Sequence, residues 1–196
     1  MLIGLHGKKL SGKDTVGNYL VNKYGFERIA FADPLKQAVA NLFDLELERV
    51  DTFKTDGEIP LAEVILQVGT TEMSYSWREF LQRFGTEMGR MTFGENFWIE
   101  RWMDAYEATD NDVVVTDVRF DNEARQIIVE GGFVIEVTRP DLELDDHVSE
   151  RGIDHELIDG WIDNNSTIED LYRDVDQLVE DIENGRIDNL RLSGRN

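Results

Sequence analysis

Residues 2–17 constrain this chain more than anything that follows. Leu2, Ile3 and Leu5 suit a short buried strand, Gly7-x-x-x-x-Gly12-Lys13 is a turn bracketed by glycines, and Val16, Tyr19, Leu20 and Tyr24 then recur at helical spacing until Gly25 supplies a stop. A turn of this spacing between strand and helix gathers backbone N–H groups, a helix N-terminus and a lysine ammonium around one point, which is the combination that binds polyphosphate. ATP is the expected ligand. Gly7, Ser11, Gly12, Lys13, Asp14 and Thr15 are therefore the candidate ATP-binding residues. Asp14 stands where such loops usually carry the Ser or Thr that ligates Mg²⁺. A carboxylate is also a hard oxygen donor, so a metal could still be held there, directly or through water, and Thr15 offers a hydroxyl to phosphate. The alternative, a glycine turn with incidental lysines, leaves the strand before it and the helix after it unexplained.

Composition narrows the class. At 196 residues and 41% apolar content, the chain suits one well-buried domain with room for an insertion. It contains no cysteine, which excludes a disulfide framework or a thiolate metal site and fits a reducing cytoplasm. The opening MLIGLHG is too short for a signal peptide, and no run approaches the ~20 apolar residues of a membrane span. The net charge of −21, from 41 acidic against 20 basic residues, opposes binding to duplex nucleic acid or an anionic membrane. Nucleotides would instead be met by local clusters of arginine, whose planar forks suit phosphate. The acidic surface is either an ordinary solvated face or a mark of a saline environment.

Along the chain, apolar runs alternate with helical periodicity. Residues 27–32 (ERIAFA) read as a second strand, and Asp33-Pro34 opens a helix to about Phe43, with Asp33 as its N-cap. Residues 44–76 are irregular, with a short helix expected near 61–68 and no evident job. Two amphipathic helices follow, at 77–90 and 96–108, so that 44–108 reads as a mostly helical insertion. Val113-Val114-Val115-Thr116-Asp117 is a continuous apolar run ending in a carboxylate, the profile of a buried parallel strand whose tip reaches a site. A helix over 122–130, a fourth strand at 133–138 ending in Arg139-Pro140, a polar lid at 140–156 and a fifth strand within 157–163 come next. The last helix is expected to start at a capping box over 166–169 and to bury Ile168, Leu171, Val175, Leu178, Val179 and Ile182, before a polar tail at 186–196. Such alternation predicts an α/β fold, a parallel sheet with helices on both faces and ligands at the carboxyl ends of its strands.

The candidate residues all fall at that edge, and each has a plainer reading. Asp33 is a general base or only a cap; Arg119 and Glu123 are site residues or a surface i,i+4 pair; Arg139 is a phosphate ligand or a solvated loop residue; His147 and Glu150 are site or lid residues. Asp117 is the strongest of them, because an unpaired buried charge would be costly. His6 and His155 are read as structural or exposed, and the aromatics between Trp77 and Trp102 as core.

Taken together, GKKLSGKDT (7–15), FADPLK (31–36), WREFLQRFGTEMGR (77–90), VVVTDVRFDNEA (113–124), VIEVTRP (134–140) and HVSE (147–150) resemble the bacteriophage deoxynucleoside monophosphate kinases. The likeness spans most of residues 1–180. It implies a three-layer P-loop NTPase fold, with five parallel strands ordered 2-3-1-4-5, one kinase domain over 1–185 and transfer of phosphate from ATP to a deoxynucleoside monophosphate. By the same resemblance, Lys13, Asp117, Arg119 and Arg139 would be catalytic, Asp14 and Asp117 would face Mg²⁺, and Asp33, Lys36, Arg78, Arg90, Arg119, Glu123, His147 and Glu150 would surround the acceptor. A kinase for another phosphorylated metabolite, of the dephospho-coenzyme A or phosphomevalonate type, and a regulatory ATPase are the competing readings. The choice between monomer and homodimer stays open.

Overall fold

The computed structural model describes residues 1–50, 63–68, 71–140 and 152–187, which fall into two compact units, residues 31–104 and the remainder. The larger unit is built on five parallel strands: β1 (Leu2–His6), β2 (Glu27–Arg28), β5 (Val113–Val118), β6 (Phe133–Thr138) and β7 (Gly160–Asp163). Their order is β2-β5-β1-β6-β7. Strands β3 (Glu63–Val68) and β4 (Thr71–Ser76) form a separate two-stranded sheet, so the five strands of the parallel sheet, taken in chain order, run second, third, first, fourth, fifth. Strands β1 and β5 open on apolar runs, Leu2–Leu5 and Val113–Val115, because both of their faces are covered, and carry polar residues only toward their carboxyl ends.

Helix α1 (Lys13–Tyr19), which runs on through a π-helical stretch Leu20–Tyr24, and α6 (Ile168–Glu183) lie on one face of this sheet. Their Val16, Leu20, Leu171, Val175, Leu178 and Val179 form a core with Ile3, Leu5, Val114, Ile135 and Ile162. Burial of each such side chain contributes about 1.5–3 kcal/mol. On the opposite face, α5 (Asp121–Val129) reaches the sheet where Gly4 has no side chain, its Ile127 lying 3.2 Å from the position a Cβ would take. The two helices of the first face are also tied by polar contacts. Tyr19 stacks on Tyr172 with ring centres 4.0 Å apart, and Asp176 of α6 accepts hydrogen bonds from Tyr19, Tyr24 and Lys23. Burial, reinforced by the Asp176 charge, pushes the Tyr24 hydroxyl up to about 12.

The smaller unit holds α2 (Asp33–Phe43), the hairpin β3 (Glu63–Val68) and β4 (Thr71–Ser76), α3 (Trp77–Arg83) and all but the last two residues of α4 (Phe97–Tyr106). Its core joins Val39, Ala40 and Val50 to Trp77, Phe80 and Leu81. Helix α3 continues through a π-helical stretch Phe84–Arg90 and a last turn Met91–Phe93, and the Gly85 carbonyl accepts the Trp98 indole N–H at 2.8 Å. Trp77, Trp98 and Trp102 are buried, as expected of core aromatics. Among the described residues no helix is long and apolar enough to cross a membrane.

Several local expectations are corrected. The helix expected near 61–68 is strand β3, paired antiparallel with β4 from Glu63↔Ser76 to Val68↔Thr71, since Val64, Ile65 and Val68 favour extended backbone over a short isolated helix. Strand β2 stops at Arg28, although the Ile29 N–H still pairs with the Val114 carbonyl at 3.2 Å. Asp33 is not the N-cap of α2; Ala32 is, with no side-chain cap, and Asp33 sits in the first turn 3.5 Å from Lys36. The capping box of α6 lies one residue further on, at Thr167 and Asp170, which turns Ile168 outward. Ile187 is buried in the larger core, so the chain expected to be a polar tail is still packed there. Most of the expected lid, with His147 and Glu150, lies outside the described residues.

Candidate active site

Parallel strands bring the segments after β1, β5, β6 and β7 to one edge of the sheet. The loop after β1 depends on its glycines. Gly7 has φ +140° and Gly12 +110°, a region that side chains disfavour; a Cβ at Gly7 would meet the Val137 carbonyl, and one at Gly12 would stand 2.5 Å from Asn164 Nδ2. Lys13 is buried, its ammonium donating to the carbonyls of Gly7 at 2.6 Å and Lys8 at 2.7 Å, so the cation lies across the loop instead of extending into solvent. Ser11 is buried, and its hydroxyl has no hydrogen-bond partner among the described residues. An orphaned hydroxyl costs about 1–3 kcal/mol, which an anion accepting its proton would relieve. Behind the loop, Gly17 lets α1 approach the sheet, where a Cβ would lie 2.5 Å from Thr116 Cγ2.

At the tip of β5 the pairing with β1 slips. Gly4 faces Val115 and His6 faces Val118, so three steps on β5 match two on β1, and the extra residue falls at Thr116–Asp117. In a regular strand Thr116 and Val118 would share a face. Here Thr116 packs on Gly17 of α1, and Val118 lies beside Gly4 on the α5 side. A bulge of this kind re-aims the residue it carries, here Asp117, which is left half-exposed between two buried neighbours.

Two side chains hold that tip. Glu123 is buried, its Oε2 accepting the backbone N–H groups of Arg119 at 2.8 Å and Phe120 at 3.1 Å. Through these backbone bonds Glu123 anchors the turn from β5 into α5. Glu123→Ala should cost about 1.5–3 kcal/mol in urea unfolding and Glu123→Gln less, because the amide oxygen can still accept.

His6, read from sequence as structural or exposed, is buried and donates from Nδ1 to the Val118 carbonyl at 2.9 Å. Burial holds its pKa below the ordinary value, with Lys13 and Arg119 adding to the effect; the Val118 bond and Glu136 oppose it. An unfolded histidine binds its proton near pH 6.5, so below that point the unfolded state holds more protons. The contribution of neutral His6 is complete above about pH 6.5 and is lost as pH falls. Denaturant melts from pH 8 to 5 should show His6→Asn losing less stability than the wild type, by up to about 1.4 kcal/mol per pH unit.

The remaining candidates sort by unit. Asp14 and Arg139 are exposed, Arg139 at the end of β6 next to Thr138. Asp33, Lys36, Arg78 and Arg90 belong to the smaller unit: Lys36 is buried beside Asp33, Arg78 is exposed on α3, and Arg90 donates to the Glu95 carbonyl at 3.1 Å. Among the described residues no three carboxylates or imidazoles gather around one point. Sequence reasoning missed Asn164, which follows β7 and donates from Nδ2 to the Ser11 carbonyl at 2.9 Å. Its signal was positional, an amide side chain just past the fifth strand at the edge where the others converge.

The sequence pattern of the deoxynucleotide monophosphate kinase family matches residues 1–58 and 49–175. The chain belongs to that family. A protein of Acanthamoeba polyphaga mimivirus bearing the family's name is 34% identical over 194 residues, spanning 92% of this chain and 96% of its own length. The deoxynucleotide monophosphate kinases of Enterobacteria phage T4 and Escherichia phage RB69 are 22% and 25% identical, each over 91% of this chain.

Proposed function

We propose that this chain transfers the γ-phosphoryl group of ATP to deoxynucleoside monophosphates, giving the diphosphates and ADP, on a P-loop NTPase fold. The observation that carries the reading is the loop itself: two glycines in left-handed conformation, a buried lysine across it and an orphaned serine hydroxyl inside it. Family membership supports the acceptor.

The chemistry asks little of covalent catalysis. A monophosphate is already largely a dianion at neutral pH, so it needs no general base, and the work is alignment and charge compensation. The backbone N–H groups of the loop and Lys13 would hold the β- and γ-phosphates, Ser11 and Thr15 would donate to phosphate oxygens, and Arg139 would meet charge on the transferring group. Asp14 and Asp117 are the oxygen donors available to Mg²⁺, which supplies further charge neutralisation when bound. With so few protein ligands, the remainder of its shell would be phosphate and water, the usual arrangement for this ion. Arg119 would face the acceptor phosphate, with Glu123 fixing its backbone, and Asp33, Lys36, Arg78 and Arg90 are assigned to the acceptor nucleotide. In the smaller unit, an apolar cavity of about 260 Å³ lined by Phe84, Met88, Phe93, Phe97 and Trp98 is the candidate seat of the base. Held there by stacking more than by hydrogen bonds, more than one base would be accepted.

The test is a panel of the four common deoxynucleoside monophosphates with MgATP, together with deoxyribose 5-phosphate. Conversion of at least one nucleotide and none of the base-free sugar is expected. Turnover restricted to other phosphorylated metabolites would reject the acceptor, and ATP hydrolysis unaffected by any acceptor would reject the kinase.

A further inference from the structure

Asn164 makes three connections that no other residue after β7 makes among the described contacts. Its backbone N–H donates to the Thr138 carbonyl at 2.8 Å, its Nδ2 donates to the Ser11 carbonyl at 2.9 Å, and the same nitrogen occupies the space a side chain on Gly12 would need. One residue thereby links the ends of β6 and β7 to the middle of the loop after β1, and Thr138 directly precedes Arg139.

The consequence lies in the peptide between Ser11 and Gly12. In a trans peptide the carbonyl and the following N–H point in opposite directions, so holding the Ser11 oxygen fixes the direction of the Gly12 N–H. That N–H donates to no other described residue. Glycine at position 12, with φ +110°, places little steric restriction on this peptide, and rotation would turn the oxygen's partial negative charge toward a bound phosphate.

We propose that Asn164 is a positioning residue for ATP, which locks the Ser11–Gly12 peptide so that its N–H, and not its carbonyl, faces the phosphates. The inference rests on the reading of the loop as an ATP site. Its effect acts on triphosphate binding and on the alignment of the transferring group. The acceptor, assigned to other residues, is left untouched.

Two variants test it. Asn164→Ala removes the donor; Asn164→Asp keeps the shape but sets a carboxylate oxygen against the Ser11 carbonyl, forcing the peptide away. Isothermal titration with MgATP should give a Kd raised about 10-fold or more for Asn164→Ala and further for Asn164→Asp, with the KM for the monophosphate within about 2-fold of wild type. Should the alanine variant fail to fold, the near-isosteric aspartate variant carries the test. MgATP affinity within about 2-fold of wild type in the folded variants would overturn the proposal, as would parallel losses for ATP and acceptor. Wild-type protein that bound no MgATP would instead overturn the ATP reading itself, and this proposal with it.

Discussion

Replacing Lys13 with alanine should lower kcat/KM for phosphoryl transfer by about 10³-fold or more while leaving the protein folded. The large effect follows from what the ammonium is placed to do. Its charge is buried, held by two carbonyls of its own loop at 2.6 and 2.7 Å, and within reach of whatever the loop encloses. Removing one preorganised charge from a site where negative charge is redistributed in the transition state costs about 3–4 kcal/mol, or two to three powers of ten, and the loss of ATP binding adds to it. The small structural effect follows from the same bonds. The carbonyls released, Gly7 and Lys8, lie in a surface loop where water can take over, and β1 before them does not depend on Lys13. Thermal unfolding should shift by only a few degrees. Unchanged kcat/KM would remove Lys13 from the chemistry; a collapse of the fold would make its role structural.

Arg139→Ala should act differently, lowering kcat by about 10²-fold with ATP affinity changed only a few-fold. Arg139 is exposed at the end of β6, one residue beyond the Thr138 that Asn164 binds, and makes no hydrogen bond or ion pair with another described residue. A guanidinium so placed contributes little to the resting fold. Contacts that strengthen as charge develops raise kcat, whereas contacts equal in ground and transition states change KM alone. Steady-state kinetics, together with ATP titration, separates the two. A rise in the ATP Kd that accounted for the whole loss would assign Arg139 to ground-state binding.

The parts of this molecule that follow from local pattern were legible in the sequence. The loop after β1 was, because spacing and glycine chemistry specify it; so were β5 and the central apolar runs, because strands covered on both faces cannot alternate. What escaped depends on partners distant in sequence. The bulge at Thr116–Asp117 appears only when β5 is set against β1, and the role of Glu123 only when its carboxylate is seen to accept from the backbone. Asn164 lies far from Ser11 along the chain, and nothing local marks it. The hairpin β3–β4 was missed because a short apolar run has no decisive period, and its partner strand settles the matter. Capping was read one residue early at Ser166, because Ser166-Thr167 offers two adjacent hydroxyls and the backbone chose the second.

The central claim is that the loop after β1 holds the triphosphate from which a deoxynucleoside monophosphate is phosphorylated. It is tested most directly by following ATP labelled in its γ-phosphate, with Mg²⁺ and a deoxynucleoside monophosphate, in wild-type protein and in Lys13→Ala. The label should appear in the β-phosphate of the deoxynucleoside diphosphate with the wild type and stay in ATP with the variant. Label released only as inorganic phosphate, or transferred equally well without Lys13, would contradict the account.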